Sequence, residues 1–534
     1  MPGFIRPWPL LIPVLCVVIG GGLGCLSGCG QRAAEPPSPS EGPAPTPATT
    51  NTNLPEDIEN QVHNFCGVAC HRYPAPDTFP RKHWRAEVER GFRFFDQSGY
   101  ALNPPKLADV VRYYEERAPE EYPPANTPPA TKPLGIALAP ISYPPPPGGP
   151  RPMISHVQAI RLPRSGLRAA EVTDQEPLSL LACDMSGGRL LVLRPGDPNP
   201  AWRELARVPS PAHAEVLDLD GDGWLDILVA DLGSFAPTDR RCGSVVWLRG
   251  RKDGSFQTHT LLKNVGRVAD VQAADFRGTG KRDLVVGVFG LHTTGEVLFL
   301  ENRTTDWDAP QFVPHLVDNR HGTIHVPITD LNGDGRPDFV ALIGQEHETV
   351  VAFLNEGGGR FGKKTLYTAP HPGWGSSGIQ LVDMNGDGRI DVLYTNGDIL
   401  DEPYLWKPYH GVQWLENKGD LRFEHHRIAD MYGVHHAVAA PVTGKQWPDV
   451  VAVSFLPGDK FPDRVERRAD AVVLFEQTAP GRFERHTLAT GSCDAVVCAV
   501  ADLYRTGRLD IVVGNFSSMT TDHPVTIWKN LGKK

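Results

Sequence analysis

Three nine-residue stretches carry oxygen side chains at the spacing of a hard-cation loop. Asp218-Leu-Asp220-Gly-Asp222-Gly-Trp224-Leu-Asp226 puts carboxylates at positions one, three, five and nine, with the Trp224 carbonyl available at position seven. The pattern recurs as Asp330, Asn332, Asp334, Arg336 and Asp338, and again as Asp383, Asn385, Asp387, Arg389 and Asp391. Glycines permit the sharp backbone, and oxygen ligands suit Ca²⁺. An EF-hand would need a glutamate at position twelve and flanking helices, whereas strand-like apolar runs flank every copy here. About three Ca²⁺ sites are therefore expected. Other copies are degenerate: Arg277 takes a ligand position in Asp275–Asp283, Tyr504 does so in Asp502–Asp510, and Pro441–Asp449 keeps only its final aspartate. In the first of these a cationic side chain is expected to replace the metal.

A second constellation is Cys66-Gly-Val-Ala-Cys70-His71. Two thiols beside a histidine are what covalent haem attachment needs, with the imidazole on iron. The spacing is C-x3-C-H, and an i, i+4 pair shares one helical face. No methionine lies between Cys70 and Met153, so His83 or His63 would be the distal ligand, or the iron would be five-coordinate. The competing reading is a haem-less remnant with Cys66 and Cys70 oxidised together. Cys493 with Cys498, or Cys183 with Cys242, are further candidate bridges.

The elements that must position these residues are repeats. A third-strand signature occurs seven times, at Leu190–Leu193, Val245–Leu248, Val297–Leu300, Val351–Leu354, Val412–Leu415, Val472–Phe475 and Val525–Trp528. Outer strands follow six of them, opened by Trp202, Phe256, Phe312, Phe361, Phe423 and Phe483. This predicts an all-β, seven-bladed propeller. His156–Leu162 is expected to close the ring as the outer strand of the last blade. Five residues before the Asp-rich turns or their equivalents stand His213, Asp270, His325 and His436. They are expected at the channel mouth, on the face opposite the calcium loops, where with Tyr409 and His410 they form a candidate ligand site.

The remaining chain reads as address and linkers. Residues 1–28 look like a lipoprotein signal peptide, because Leu26-Ser27-Gly28-Cys29 resembles a lipobox with Cys29 as the lipidated residue. A disordered Pro-rich tether (29–57), an all-α segment (58–121), a Pro-rich linker (122–152) and the propeller (153–534) follow. The formal net charge of -10 argues against a nucleic-acid partner. Nucleophile–base, phosphate-loop and zinc-protease motifs are absent from the sequence, which favours a binding protein over an enzyme.

The Asp-rich turns resemble the FG-GAP/VCBS repeats of integrin-α-type propellers, and the resemblance implies that calcium is structural. The CxxxCH segment, with Trp84 and the Asn396-Gly397-Asp398 and Lys407–Gly411 stretches, resembles a family of envelope proteins that carry a small cytochrome-c-like domain before such a propeller. That resemblance implies an envelope-anchored protein, periplasmic or at the outer membrane, that binds a protein or glycan and passes electrons to a redox partner. The alternative is a purely non-redox adhesion or binding propeller, held at the membrane by its lipid alone.

Overall fold

The computed structural model describes residues 54, 57–67, 71–99, 101–123, 133–162, 168–169, 172, 176–400, 402–516 and 522–534. The signal segment, Cys29 and Cys70 lie outside these residues.

Strong β-formers in short runs, separated by Gly/Asp turns, pair locally into seven antiparallel sheets. The first blade comprises Ile154–Arg161, Leu178–Asp184, Arg189–Leu193 and Arg203–Arg207. The innermost strands of blades two to seven are Pro211–Leu217, Val268–Ala274, Thr323–His325, Ser376–Val382, Val434–Ala440 and Ala495–Ala501. Second strands such as Asp226–Asp231 and Asp338–Ile343 are buried throughout. A strand covered on both faces needs continuous apolar side chains, which is why these runs do not alternate. Seven apolar clusters each join two neighbouring blades, for example Leu228, Trp247 and Val286 between blades two and three, and Leu191, Val512 and Ile527 between seven and one.

The ring closes with a different strand from the one expected. Ile136–Ser142 pairs with Val525–Lys533 as the outer strand of blade seven, with Leu138 opposite Asn530 and Ser142 opposite Thr526. His156 belongs instead to the innermost strand of blade one, opposite Cys183. Innermost and outermost strands each have one hydrogen-bonded neighbour, so both alternate and look alike in sequence. The true closing strand lies inside the segment read as linker, where Pro140 masks it. Proline needs no ladder donor and is tolerated on such an edge.

Three helices precede the propeller: α1 (Ile58–Cys66), α2 (Arg81–Ser98) and α3 (Leu107–Arg117). Helix α2 ends at Gly99, whose φ of 72° supplies a left-handed cap. Val62, Trp84, Val110, Val111, Tyr113 and Tyr114 form their own small core. The helices rest on the propeller face formed by the loops between second and third strands. Arg90 Nη1 donates to the Glu402 carbonyl at 2.9 Å, and the Phe94 ring lies 4.9 Å from that of His292.

Candidate functional site

In each full loop the first aspartate organises the turn before any ion is considered. Asp218 accepts the N–H groups of Gly221 at 2.9 Å and Gly223 at 3.0 Å. Asp330 accepts from Gly333 and Gly335, both at 2.8 Å, and Asp383 from Gly386 at 2.7 Å and Gly388 at 2.8 Å. Those glycines have φ between 73° and 88°, where a side chain would strain the backbone. Asp220, Asp222, Asn332, Asp334, Asn385 and Asp387 each accept the N–H two residues on. In the first loop, oxygens of Asp218, Asp220 and Asp226 lie within 4.8 Å of one another, which fits a shared Ca²⁺. Arg249 also reaches Asp220, at 2.7 Å. At position seven, Arg336 and Arg389 turn their side chains back to Asp334 and Asp387, leaving Trp224, Arg336 and Arg389 to offer only carbonyls to a metal.

The ninth-position aspartate has a role that the sequence pattern did not reveal. Asp226 accepts the N–H of Leu219 at 2.9 Å and of Gly250 at 2.7 Å, clamping the turn to the end of the third strand. Asp338 does this with Leu331 and Asn355, Asp391 with Met384 and Asn417, and Asp510 with Leu503 and Asn530. Asp449 does the same with Thr443 and Gln477, although its turn has lost the other ligand residues. The clamp therefore explains why this aspartate persists where a metal site does not. In blade three, Arg277 binds Asp283 at 2.9 Å, Glu301 at 2.7 Å and the Asn302 carbonyl at 2.9 Å. The guanidinium thus joins the final aspartate of the turn to the end of the third strand, while Asp275 accepts the N–H groups of Thr279 and Gly280.

On the opposite side, every innermost strand slips register at the same place. The residue after each slip is His156, His213, Asp270, His325, Gly378, His436 or Val497. Four imidazoles and one carboxylate thus occupy equivalent positions around the channel. His213 Nδ1 lies 2.9 Å from Asp270 Oδ1, and His325 Nδ1 lies 3.9 Å from Asp270 Oδ2. The His156 ring packs edge-on to His213 with centroids 4.3 Å apart, and its Nε2 is buried with no hydrogen-bond partner. Cys498 N–H donates to His436 Nδ1 at 3.4 Å. Burial pushes His325 down to about 4 and His436 down to about 3, so both are neutral at pH 7. Burial would also lower His213, but the Asp270 carboxylate overrides it and raises that imidazole. His156 was missed as a site residue because its strand was assigned to the outer edge.

Tyr409 and His410 do not join this group. They pack with Trp374 and His371 beneath the helices: the Tyr409 ring stacks 5.4 Å from Trp374, its hydroxyl donates to the Gly373 carbonyl at 3.1 Å, and Gly433 N–H reaches His410 Nδ1 at 3.4 Å.

Of the attachment motif, Cys66 and His71 are described, and Cys70 lies outside the described residues. Cys66 is held in the small core facing Tyr114, whose ring stacks 3.8 Å from Trp84. Burial pushes its thiol up to about 11, which disfavours the thiolate. Among the described residues no contact joins His83 to Cys66. Burial lowers the His71 imidazole, opposed by its hydrogen bond to the Arg72 carbonyl and by the charge of Glu346. The other expected bridges are also absent among the described cysteines, since Cys183, Cys242, Cys493 and Cys498 are free thiols. Cys242 approaches the Leu232 carbonyl and Cys493 those of Ala469 and Asp470, so each sulfur sits on backbone oxygen.

A family model described as an FG-GAP-like repeat matches residues 209–286 and 330–394, the stretches that contain the three full Asp-rich loops. The molecule is a seven-bladed β-propeller preceded by three helices, and two of its stretches match the FG-GAP-like repeat. No curated protein matches the sequence.

Proposed function

We propose that this protein is a calcium-stabilised binding protein of the bacterial envelope that takes its ligand at the mouth of the propeller channel. The observation that carries the reading is the unpartnered, buried Nε2 of His156 beside His213, Asp270, His325 and His436. A buried polar atom without a partner is costly, and convergent polar groups in a concavity are the usual ligand location. Neutral imidazoles both donate and accept, and a carboxylate accepts twice, which suits the hydroxyl groups of a glycan. Calcium in the loops at 218–226, 330–338 and 383–391 would hold the blade turns that set the ring. Cys29 would carry the lipid anchor, with the Pro-rich stretch as tether. The filled helical core favours a role for that segment as a cap rather than as a haem carrier.

The test is binding to an immobilised panel of neutral and acidic oligosaccharides by the wild type and by Asp270→Asn. Selective retention by the wild type that Asp270→Asn loses would support the reading. Equal retention by both would overturn it.

A further inference from the structure

A second cluster of ligand-bearing side chains lies away from the channel, where the helices meet the propeller. His321 sits in the connection from blade three to blade four, and Glu346 and His347 sit in the loop between Asp338–Ile343 and Thr349–Gly357. One ligand atom from each lies within 4.8 Å of the others, and all three residues are half-buried. His321 Nε2 is 2.7 Å from Glu346 Oε2, and the two imidazole rings are 5.1 Å apart.

The backbone holds these side chains tightly. Gly344 N–H donates to Gly322 at 2.8 Å, tying the loop to the connection. Gln345 and Glu348 flank the pair with φ of 54° and 44°, values that side-chain-bearing residues seldom adopt. A Cβ on Gly295 would meet His321 Cα at 2.3 Å, so the connection is seated against a neighbouring loop. The nearby Arg320 is engaged by Asp318 through two 2.9 Å bonds and does not neutralise the cluster.

We propose that His321, Glu346 and His347 bind a divalent transition-metal ion of the zinc class. Imidazole and carboxylate donors suit such an ion, and three protein ligands leave a fourth position open to water. The ion would replace the hydrogen bond between His321 and Glu346. It would tie the connection between blades three and four to the blade-four loop, independently of whether the channel binds a glycan.

Zinc titration of the calcium-loaded full chain, read with a competing chromophoric chelator, tests this. One tight equivalent is expected. His347→Ala and the shape-preserving Glu346→Gln should each weaken it by about 100-fold. His426→Ala, in the Glu416/Glu424/His426 group on an outer blade edge, should leave it unchanged. Absence of a zinc equivalent in the wild type, or the same affinity in His347→Ala and Glu346→Gln, would overturn the site.

Discussion

His213 Nδ1 lies 2.9 Å from Asp270 Oδ1 across the seam between blades two and three. Asp270 also accepts the Val326 N–H at 2.8 Å, so one buried carboxylate ties together three consecutive blades. Asp270→Asn keeps the shape but removes the charge. It should cost about 3 kcal/mol by breaking a buried pair. Because Asp270 is what raises the His213 imidazole, the variant should also lower its titration midpoint, which NMR of the ring protons would follow. An unmoved midpoint would show that the pair does not form.

Acid should destabilise the protein partly through the channel. Burial holds His325 at about 4 and His436 at about 3, below the value of about 6.5 expected when unfolded. Between those values the unfolded chain binds more protons, so the stability these residues contribute is present above pH 6.5 and is lost as pH falls toward 4 and 3. Each contributes at most about 1.4 kcal/mol per pH unit. Burial raises Glu215 to about 7 and Glu348 to about 8, and these act in the opposite sense. The difference between wild type and His325→Gln/His436→Gln isolates the histidines: urea midpoints of the variant should depend less on pH between 6.5 and 4. An unchanged dependence would place the acid sensitivity elsewhere.

Arg277 and calcium are alternative ways to hold the same turn. Arg277→Asn with Thr279→Asp would rebuild a full loop in blade three, using Asp275 and Asp283 as they stand. Calcium titration should then show one more equivalent than the wild type, with thermal stability that falls on chelation. No added equivalent would mean that the guanidinium position is not a metal position.

The Asp449 clamp should matter without calcium. Its carboxylate satisfies the N–H groups of Thr443 at 2.8 Å and Gln477 at 3.0 Å in a turn with no other ligand residues. Asp449→Ala would leave the buried Gln477 N–H unsatisfied, at about 1–3 kcal/mol, and the half-buried Thr443 N–H at less. The loss, measured by chemical denaturation, should be equal with calcium and with chelator. A calcium-dependent loss would contradict the clamp.

Much of this was legible before any coordinates. Third strands carry dense apolar runs because both faces are covered, and all seven appeared in the sequence. The Asp-rich turns and the place of Arg277 within one of them were also readable, since short-range turns depend on local residues. What failed was long-range or context-dependent. Ile136–Ser142 and Ile154–Arg161 are both one-sided strands, and only the ring's closure distinguishes them. The CxxxCH segment gives the residue types for haem attachment, Cys70 lies outside the described residues, and Trp84 and Tyr114 pack in the core beside Cys66, which no local pattern encodes.

The central claim is that the channel residues bind a ligand. The most direct measurement is a titration of calcium-loaded wild type and His213→Ala/His325→Ala/His436→Ala with an oligosaccharide retained in the panel experiment, each protein first shown to be folded by circular dichroism. The account predicts saturable binding by the wild type and loss of it in the folded triple variant. Equal affinity in the two proteins would contradict it.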